Sequence, residues 1–309
     1  MSNPMSNWKL RFLKSIFNRH MRWRIKELLS PEYPVLLEYP ICPKPRYGYG
    51  KPPHPEIEKI LSRNEDGYSK ILTELHSFTQ YLTEIPETET PDSPGEPYWS
   101  NAYFSGMDAI ALYGLLGSRK PSKYFEVGSG NSTKFARRAV RDLNLATEII
   151  SLDPFPRAEV DALCNRTIRQ PLEEVDIAIF DELGSGDILF IDNSHRVFQN
   201  SDVTVFFLEI LPRLKPGLIV HIHDIFLPFD YPQSWVHRHY SEQYLLAAYL
   251  LAEFSRIDVL LPLAYICRHE TLSKSIKGDW PQPLFQDAFS RYGKFNGDYA
   301  GISFWLIIK

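Results

Sequence analysis

Cysteine is scarce in this chain. Cys42, Cys164 and Cys267 are odd in number, widely spaced and never in a C-x-x-C pair. That pattern speaks against a disulfide framework and a zinc ribbon, and the expectation is a reducing compartment, the cytoplasm. A run of about eighteen apolar residues is also missing, so no spanning helix is expected. The N-terminus has a basic stretch but no apolar segment of the signal-peptide kind. Charge of one sign is not in excess: the net charge is −4, which gives no strong nucleic-acid signal while leaving room for a local basic patch. No internal repeat is visible. What is present is 309 residues with 44% hydrophobic content, enough for a sizeable core in one large domain or a domain with an extension.

The first hundred residues differ from the rest. Residues 8–29 carry Lys9, Arg11, Lys14, Arg19, Arg22, Arg24 and Lys26 against the single acid Glu27, with apolar residues at helical spacing. A basic amphipathic helix of this kind can dock on an anionic membrane surface or on a subunit, or it can pack on the main domain with its charges solvated. Residues 57–82 read as a further helix. "IPETETPDSPGEP" (residues 85–97) is acidic and proline-rich and reads as a linker. The expected division is therefore a mainly helical extension over 1–96 and a main domain over 97–309. From Tyr98 onward strands and helices alternate, with helices expected among others over residues 158–163, 173–183 and 202–211, which argues for an α/β fold with a parallel sheet covered on both faces. Ligands of such sheets bind outside the carboxyl ends of the strands, so the residues following each strand are the ones that matter.

"KYFEVGSGNSTKFARRAV" (residues 123–140) is a strand, a tight turn and a helix start. Gly128 and Gly130 permit unusual backbone angles and close approach of a ligand. Asn131, Ser132 or Thr133 caps the helix. A dinucleotide fingerprint asks for a third glycine where Thr133 stands. Glu126 would sit badly beside a pyrophosphate and suits a ligand with a cationic amino-acid end. Asp153, at the end of the next strand, can accept from both ribose hydroxyls, a device that nicotinamide enzymes and methyltransferases share.

With "IISLDPFPR", "GDILFIDNSH", "LPRLKPGLIVHIHDIFLPFDYP" and the terminal "GISFWLII", this stretch resembles the class I S-adenosylmethionine-dependent methyltransferases over about residues 98–309. The neighbourhood is that of the catechol-type and sugar O-methyltransferases. The resemblance implies a seven-stranded sheet in the order 3-2-1-4-5-7-6 with the last strand antiparallel. It implies that Glu126 orients the methionine amino group, with Gly128, Ser129 and Gly130 beside it and Ser132 and Thr133 along the methionine chain. Asp153 would hold the ribose, with Pro154 beside the adenine and residues 170–173, Glu173 among them, along its edge.

Methyl transfer needs an acceptor held in line and relieved of its proton. After the fourth strand come Asp192 and His195, without the Asn/Asp-Pro-Pro-Tyr pattern of nitrogen methylators. That suits a hydroxyl acceptor, on a small molecule or a glycan unit, with His195 as general base. Some sugar O-methyltransferases carry Asp-x-x-His here and an acidic pair after the fifth strand, which together bind magnesium. Asp192, His195 and Asp224 match, so all three are candidate catalytic residues. His223 replaces the first acid of the pair, which disfavours magnesium and leaves manganese as a candidate at Asp192, His223 and Asp224. His223 could equally contact substrate or be structural, and His221 reads as a core histidine. Trp99 and Tyr103, in "YWSNAYFSGMDA", and Tyr231 and Trp235, in and after "FLPFDYP", are candidate substrate contacts, the former pair open also to a core role. Two other readings stay in view: a donor-binding scaffold without catalysis, and a nicotinamide oxidoreductase.

Overall fold

The computed structural model describes residues 41, 43–101, 103–104, 106–156, 159–278 and 300–309. The expected basic helix of residues 8–29 lies outside them. Contacts divide the chain into residues 1–43 and a compact unit running from Lys44 to Lys309. Residues 55–97 are therefore part of that unit. Helices α1 (Pro55–Leu61), α2 (Glu65–His76) and α3 (Thr79–Leu82) stand where one long helix was expected. A 3-10 turn at Ser62–Asn64 breaks the first from the second. Leu61, Tyr68, Ile71, Leu72 and Leu75 are buried against the sheet domain, and that burial is what anchors the segment.

The sheet has seven strands: β1 (Lys123–Val127), β2 (Glu148–Leu152), β3 (Arg166–Ile168), β4 (Ile188–Ile191), β5 (Ile219–Ile222), β6 (Ile257–Pro262) and β7 (Phe304–Ile308). Their order is β3-β2-β1-β4-β5-β7-β6, with β7 antiparallel to both neighbours. Each central strand is an apolar run buried on both faces, as a covered parallel sheet requires. Helices α4 (Met107–Arg119) and α5 (Asn131–Asp142) pack together beside β1. Further elements are α6 (Asp202–Val205), α7 (Glu242–Leu251), α8 (Leu263–Arg268) and α9 (Leu272–Gly278). No helix of the described residues is long and apolar enough to cross a membrane.

Three expected helices shrink. Of the first, the described residues 159–163 hold a 3-10 turn at Asp161–Leu163, and in place of the second stand two such turns, at Leu172–Glu174 and Ile177–Glu182, with Leu172 and Phe180 buried. Phe180 packs on Phe125 with ring centroids 4.9 Å apart. The helix expected over 202–211 is α-helical for one turn, then widens into a π turn at Phe206–Ile210. Pro212, which has no N–H to donate, follows that turn.

Register brings the site together. Val127 pairs with Leu152 and with Ile191, and Ile191 pairs with Ile222. The next residues of these strands, Gly128, Asp153, Asp192 and His223, therefore stand abreast along the carboxyl edge. The ladder reaches one residue past the strands, with Asp192 N donating to Val127 O at 2.8 Å and His223 N to Ile191 O at 3.0 Å.

Candidate active site

Two adjoining cavities open at this edge. The first, of about 270 Å³, is lined by Gly128, Ser129, Asp153, Pro154, Phe155, Leu172, Glu173 and Asp192 among others. The second, of about 380 Å³, is walled by Tyr98, Tyr103, Phe104, Gly130, Ser132 and Lys134 with Ser129 and Asp192 again. Ser129 and Asp192 belong to both.

The glycine turn makes these cavities. Gly128 has φ +82°, and a side-chain carbon built there would lie 1.8 Å from the carbonyl oxygen of Asp192. Glycine is thus required by backbone angle and by space. Gly130 is extended, and a carbon built on it meets nothing within 4 Å. Its bare face is part of the second cavity's wall. Asp153 accepts from Ser129 N and Phe155 N, both at 2.8 Å, which fixes its carboxylate beside the first cavity. Phe155, 88% exposed, stands next to it.

Glu126 lies elsewhere than the sequence suggests. It is fully buried under the turn and lines neither cavity. One carboxylate oxygen accepts from Tyr124 Oη (3.1 Å) and Ser132 Oγ (2.5 Å), the other from Thr133 Oγ1 (2.5 Å). Thr133 Oγ1 also accepts from Gly130 N at 3.1 Å. Glu126 therefore holds the start of α5 under the turn rather than reaching the cavity. Thr133, fully buried, shares that role.

Beyond the turn lies a buried cluster of carboxylates and histidines. His195 Nε2 is 3.1 Å from Asp192 Oδ1 and 3.5 Å from Asp224 Oδ2, and its Nδ1 is 2.9 Å from Glu242 Oε2. His223 Nδ1 is 3.5 Å from an oxygen of both Asp192 and Asp224, and its Nε2 is 3.5 Å from Asp108 Oδ2. Those contacts are ion-pair distances, too long for hydrogen bonds. Strand alternation alone would send Asp224 to the opposite face from His223. Instead β5 has ended, and Asp224, with φ +57°, turns back into the cluster; His195 is also left-handed, with φ +60°. Non-glycine residues persist in that region only where their surroundings hold them there. The N-terminus of α7 does so for His195, with Ser241 N and Glu242 N donating to its carbonyl oxygen at 2.8 and 3.2 Å.

The electrostatics follow from crowding. Burial alone would lower the His195 pKa, but its hydrogen bonds to Asp192 and Glu242 and the charge of Asp224 outweigh it and raise the group well above 6.5. Burial would likewise lower His223, and the charges of Asp224 and Asp192 raise it. Burial would raise Asp192, whereas the His223 charge and contacts with both histidines hold it far below the usual carboxylate range. Burial leaves Asp224 and Glu242 raised. His221 is neutral, lowered by burial and then by His223, stacked on Trp305 at 3.8 Å and 2.6 Å from Ser303 Oγ.

The structure thus joins Asp192, His195, His223 and Asp224, and brings Gly128, Ser129, Gly130, Ser132, Asp153, Pro154 and Glu173 to the cavity walls. Tyr103, 57% exposed, also lies on a wall. Three expected substrate contacts do not. Trp99 is buried against Phe135 at 5.3 Å. Tyr231 and Trp235 are buried in an aromatic cluster with Phe226 and Tyr240. They are large apolar groups that fill the base of their loop rather than face the cavities. Sequence reading missed Asp108, Glu242 and Lys134. Asp108 had a signal, being a lone acid in the first turn of an apolar helix; Glu242 is 47 positions from His195 and had none.

The strand order agrees with the one that the resemblance to the class I S-adenosylmethionine-dependent methyltransferases implies. Residues 125–225 match the family model of a methyltransferase domain, covering the glycine turn through the cluster. An uncharacterized protein of Archaeoglobus fulgidus is 26% identical over 129 residues, 40% of this chain; the match spans 58% of that relative's length. Among solved structures, a methyltransferase of Podospora anserina with bound S-adenosylhomocysteine is similar at 20% identity, covering 62% of this chain and 82% of that one, with a TM-score of 0.36. A plantazolicin methyltransferase with bound S-adenosylhomocysteine is similar at 14% identity, covering 82% and 99%, with a TM-score of 0.39. A branched-chain polyamine synthase of Thermus thermophilus is similar at 11% identity, covering 77% and 64%, with a TM-score of 0.38.

Proposed function

We propose that the protein transfers the methyl group of S-adenosylmethionine to a hydroxyl of a small molecule or sugar unit, in the cytoplasm. The observation that carries this reading is Asp192, half-buried, on the wall of both cavities and 3.1 Å from His195. The adenosine half of the donor fits the cavity of Asp153, and the acceptor meets the methyl group at the Asp192 side of the other. The acceptor oxygen forms its bond to the methyl carbon as the carbon–sulfur bond breaks, leaving a neutral thioether. Its proton becomes strongly acidic as that bond forms, so a carboxylate is base enough to take it. Asp192 stands nearest and takes that role in place of the expected His195, whose Nε2 lies against the Asp192 carboxylate at 3.1 Å while Glu242 fixes the ring at Nδ1. Positioning, rather than a strong base, carries the rate.

A divalent cation belongs to the same proposal. One ligand atom from each of Asp192, His223 and Asp224 lies within 4.8 Å of the others. Both ring nitrogens of His223 are buried without a hydrogen bond, which fits a ligand better than a core histidine. Two carboxylates and an imidazole suit manganese or a softer ion better than magnesium. Such an ion would polarise an acceptor hydroxyl.

S-adenosylhomocysteine should raise the melting temperature and NAD should leave it unchanged. A mass scan of products over a library of hydroxyl compounds should show a gain of one methyl. Donor binding with no transfer to any acceptor would favour the inert scaffold instead. Free manganese, followed by its electron spin resonance signal, should disappear on adding protein, and His223→Ala should abolish that loss.

A further inference from the structure

Lys134 sits in the first turns of α5, after the glycine turn, and lines the second cavity. It is only 5% exposed. A lysine so covered ordinarily has a carboxylate or a set of acceptors around its ammonium. Among the described residues Lys134 has neither; its Nζ lies 5.9 Å from the centre of the Tyr98 ring. That ring attracts the ammonium but gives its charge no anion. The surrounding wall is Gly130, Asn131 and Ser132, where the first turn of α5 directs unpaired backbone N–H groups and a partial positive charge. Lysine and helix start thus favour an anionic group at the same spot.

The donor supplies one. With its adenosine half beside Asp153, the rest of the molecule must pass Ser129 and Asp192, the residues common to both cavities, and end in the second. That end is an amino acid, with one carboxylate and one ammonium. We infer that Lys134 receives the donor's α-carboxylate and so sets how far the methionine chain extends. The exposed acids Glu89 and Glu159 on the same cavity wall suit the ammonium. Charge recognition at this end thus falls to Lys134 and not to Glu126, whose oxygens are engaged under the turn. The inference rests on the donor assignment above.

Calorimetric titration of two ligands tests it. S-adenosylhomocysteine carries the amino-acid end and 5′-methylthioadenosine lacks it. Lys134→Met should weaken the first by about tenfold to a hundredfold, the loss expected for one charge-assisted contact. It should leave the second within twofold of the parent protein. Lys134→Arg should recover part of the loss, which guards against a folding defect in the methionine variant. Equal weakening of both ligands would mean a structural role and overturn the inference. Unchanged S-adenosylhomocysteine binding would also overturn it, since the lysine then serves something other than the donor. Parent protein that binds neither ligand would sink the donor reading itself, and this assignment with it.

Discussion

Glu126 carries a carboxyl group that no solvent reaches, and its behaviour with pH follows from that. Burial pushes its pKa from the ordinary 4.5 up to about 7, against hydrogen bonds from Ser132, Thr133 and Tyr124 that favour the charged form. Between those two values the unfolded chain has released a proton that the folded chain still holds. Stability therefore falls as pH rises from about 4.5 to about 7 and is level beyond, by about 3.5 kcal/mol in all at ~1.4 kcal/mol per unit. Urea unfolding midpoints at pH 5 and pH 7.5 should show this fall in the parent protein, and Glu126→Gln should flatten it. The same variant should bind S-adenosylhomocysteine within a few-fold of the parent; a large loss would place Glu126 on the ligand after all. Asp153 is the opposite case, a half-buried carboxylate on a cavity wall, already accepting from Ser129 N and Phe155 N. On the proposed function Asp153→Ala should weaken S-adenosylhomocysteine at least tenfold, since the ribose hydroxyls of that ligand would lose their acceptor and two N–H groups lose theirs. Calorimetry at fixed pH measures that directly.

At the scale of elements, the two glycines of the β1–α5 turn do different work. Gly128 is fixed by φ +82° and by the Asp192 carbonyl, whereas Gly130 is extended with open space where a side chain would be. Gly128→Ala should lower the melting temperature sharply or prevent folding, because the backbone of β4 cannot yield. Gly130→Ala should melt like the parent but bind S-adenosylhomocysteine more weakly, its methyl standing in the cavity. Equal effects on melting would show that the turn does not distinguish the two positions. The sequence alone could pair a glycine turn with a cavity but could not separate these roles, because close approach of Asp192 depends on β4 lying beside β1. Central strands such as β2 and β4 were legible for the same reason that the sheet is covered: each is a short, mainly apolar run followed by an aspartate, Asp153 or Asp192. Helices between β3 and β4 were not. A mixed acidic and apolar segment such as residues 173–183 reads equally well as helix or as 3-10 turns, and tertiary packing of Phe180 on Phe125 decided it.

Across the whole molecule, the cluster is closed by residues far apart in the chain. Its inner members, Asp192, His195, His223 and Asp224, follow adjacent strands and could be read from motif spacing. Its outer carboxylates could not, since Asp108 starts α4 and Glu242 starts α7, and only the packed sheet brings both to the histidines. Asp108 also ties the beginning of the domain to its last strand: Oδ1 accepts from Ile302 N and Ser303 N, each at 2.8 Å, while Oδ2 faces His223 Nε2. The two oxygens can be tested separately. Asp108→Ala strands two buried N–H groups and should cost about 2–5 kcal/mol of stability. Asp108→Asn keeps an oxygen for those N–H groups and removes the negative charge opposite His223. It should stay within about 1 kcal/mol of the parent in urea unfolding and retain S-adenosylhomocysteine affinity. Its methyl-transfer turnover should fall about tenfold to a hundredfold, the usual consequence of losing the carboxylate that orients a site histidine. Full activity in the asparagine variant, with the alanine variant unstable, would make Asp108 a fastening between α4 and β7 and nothing more.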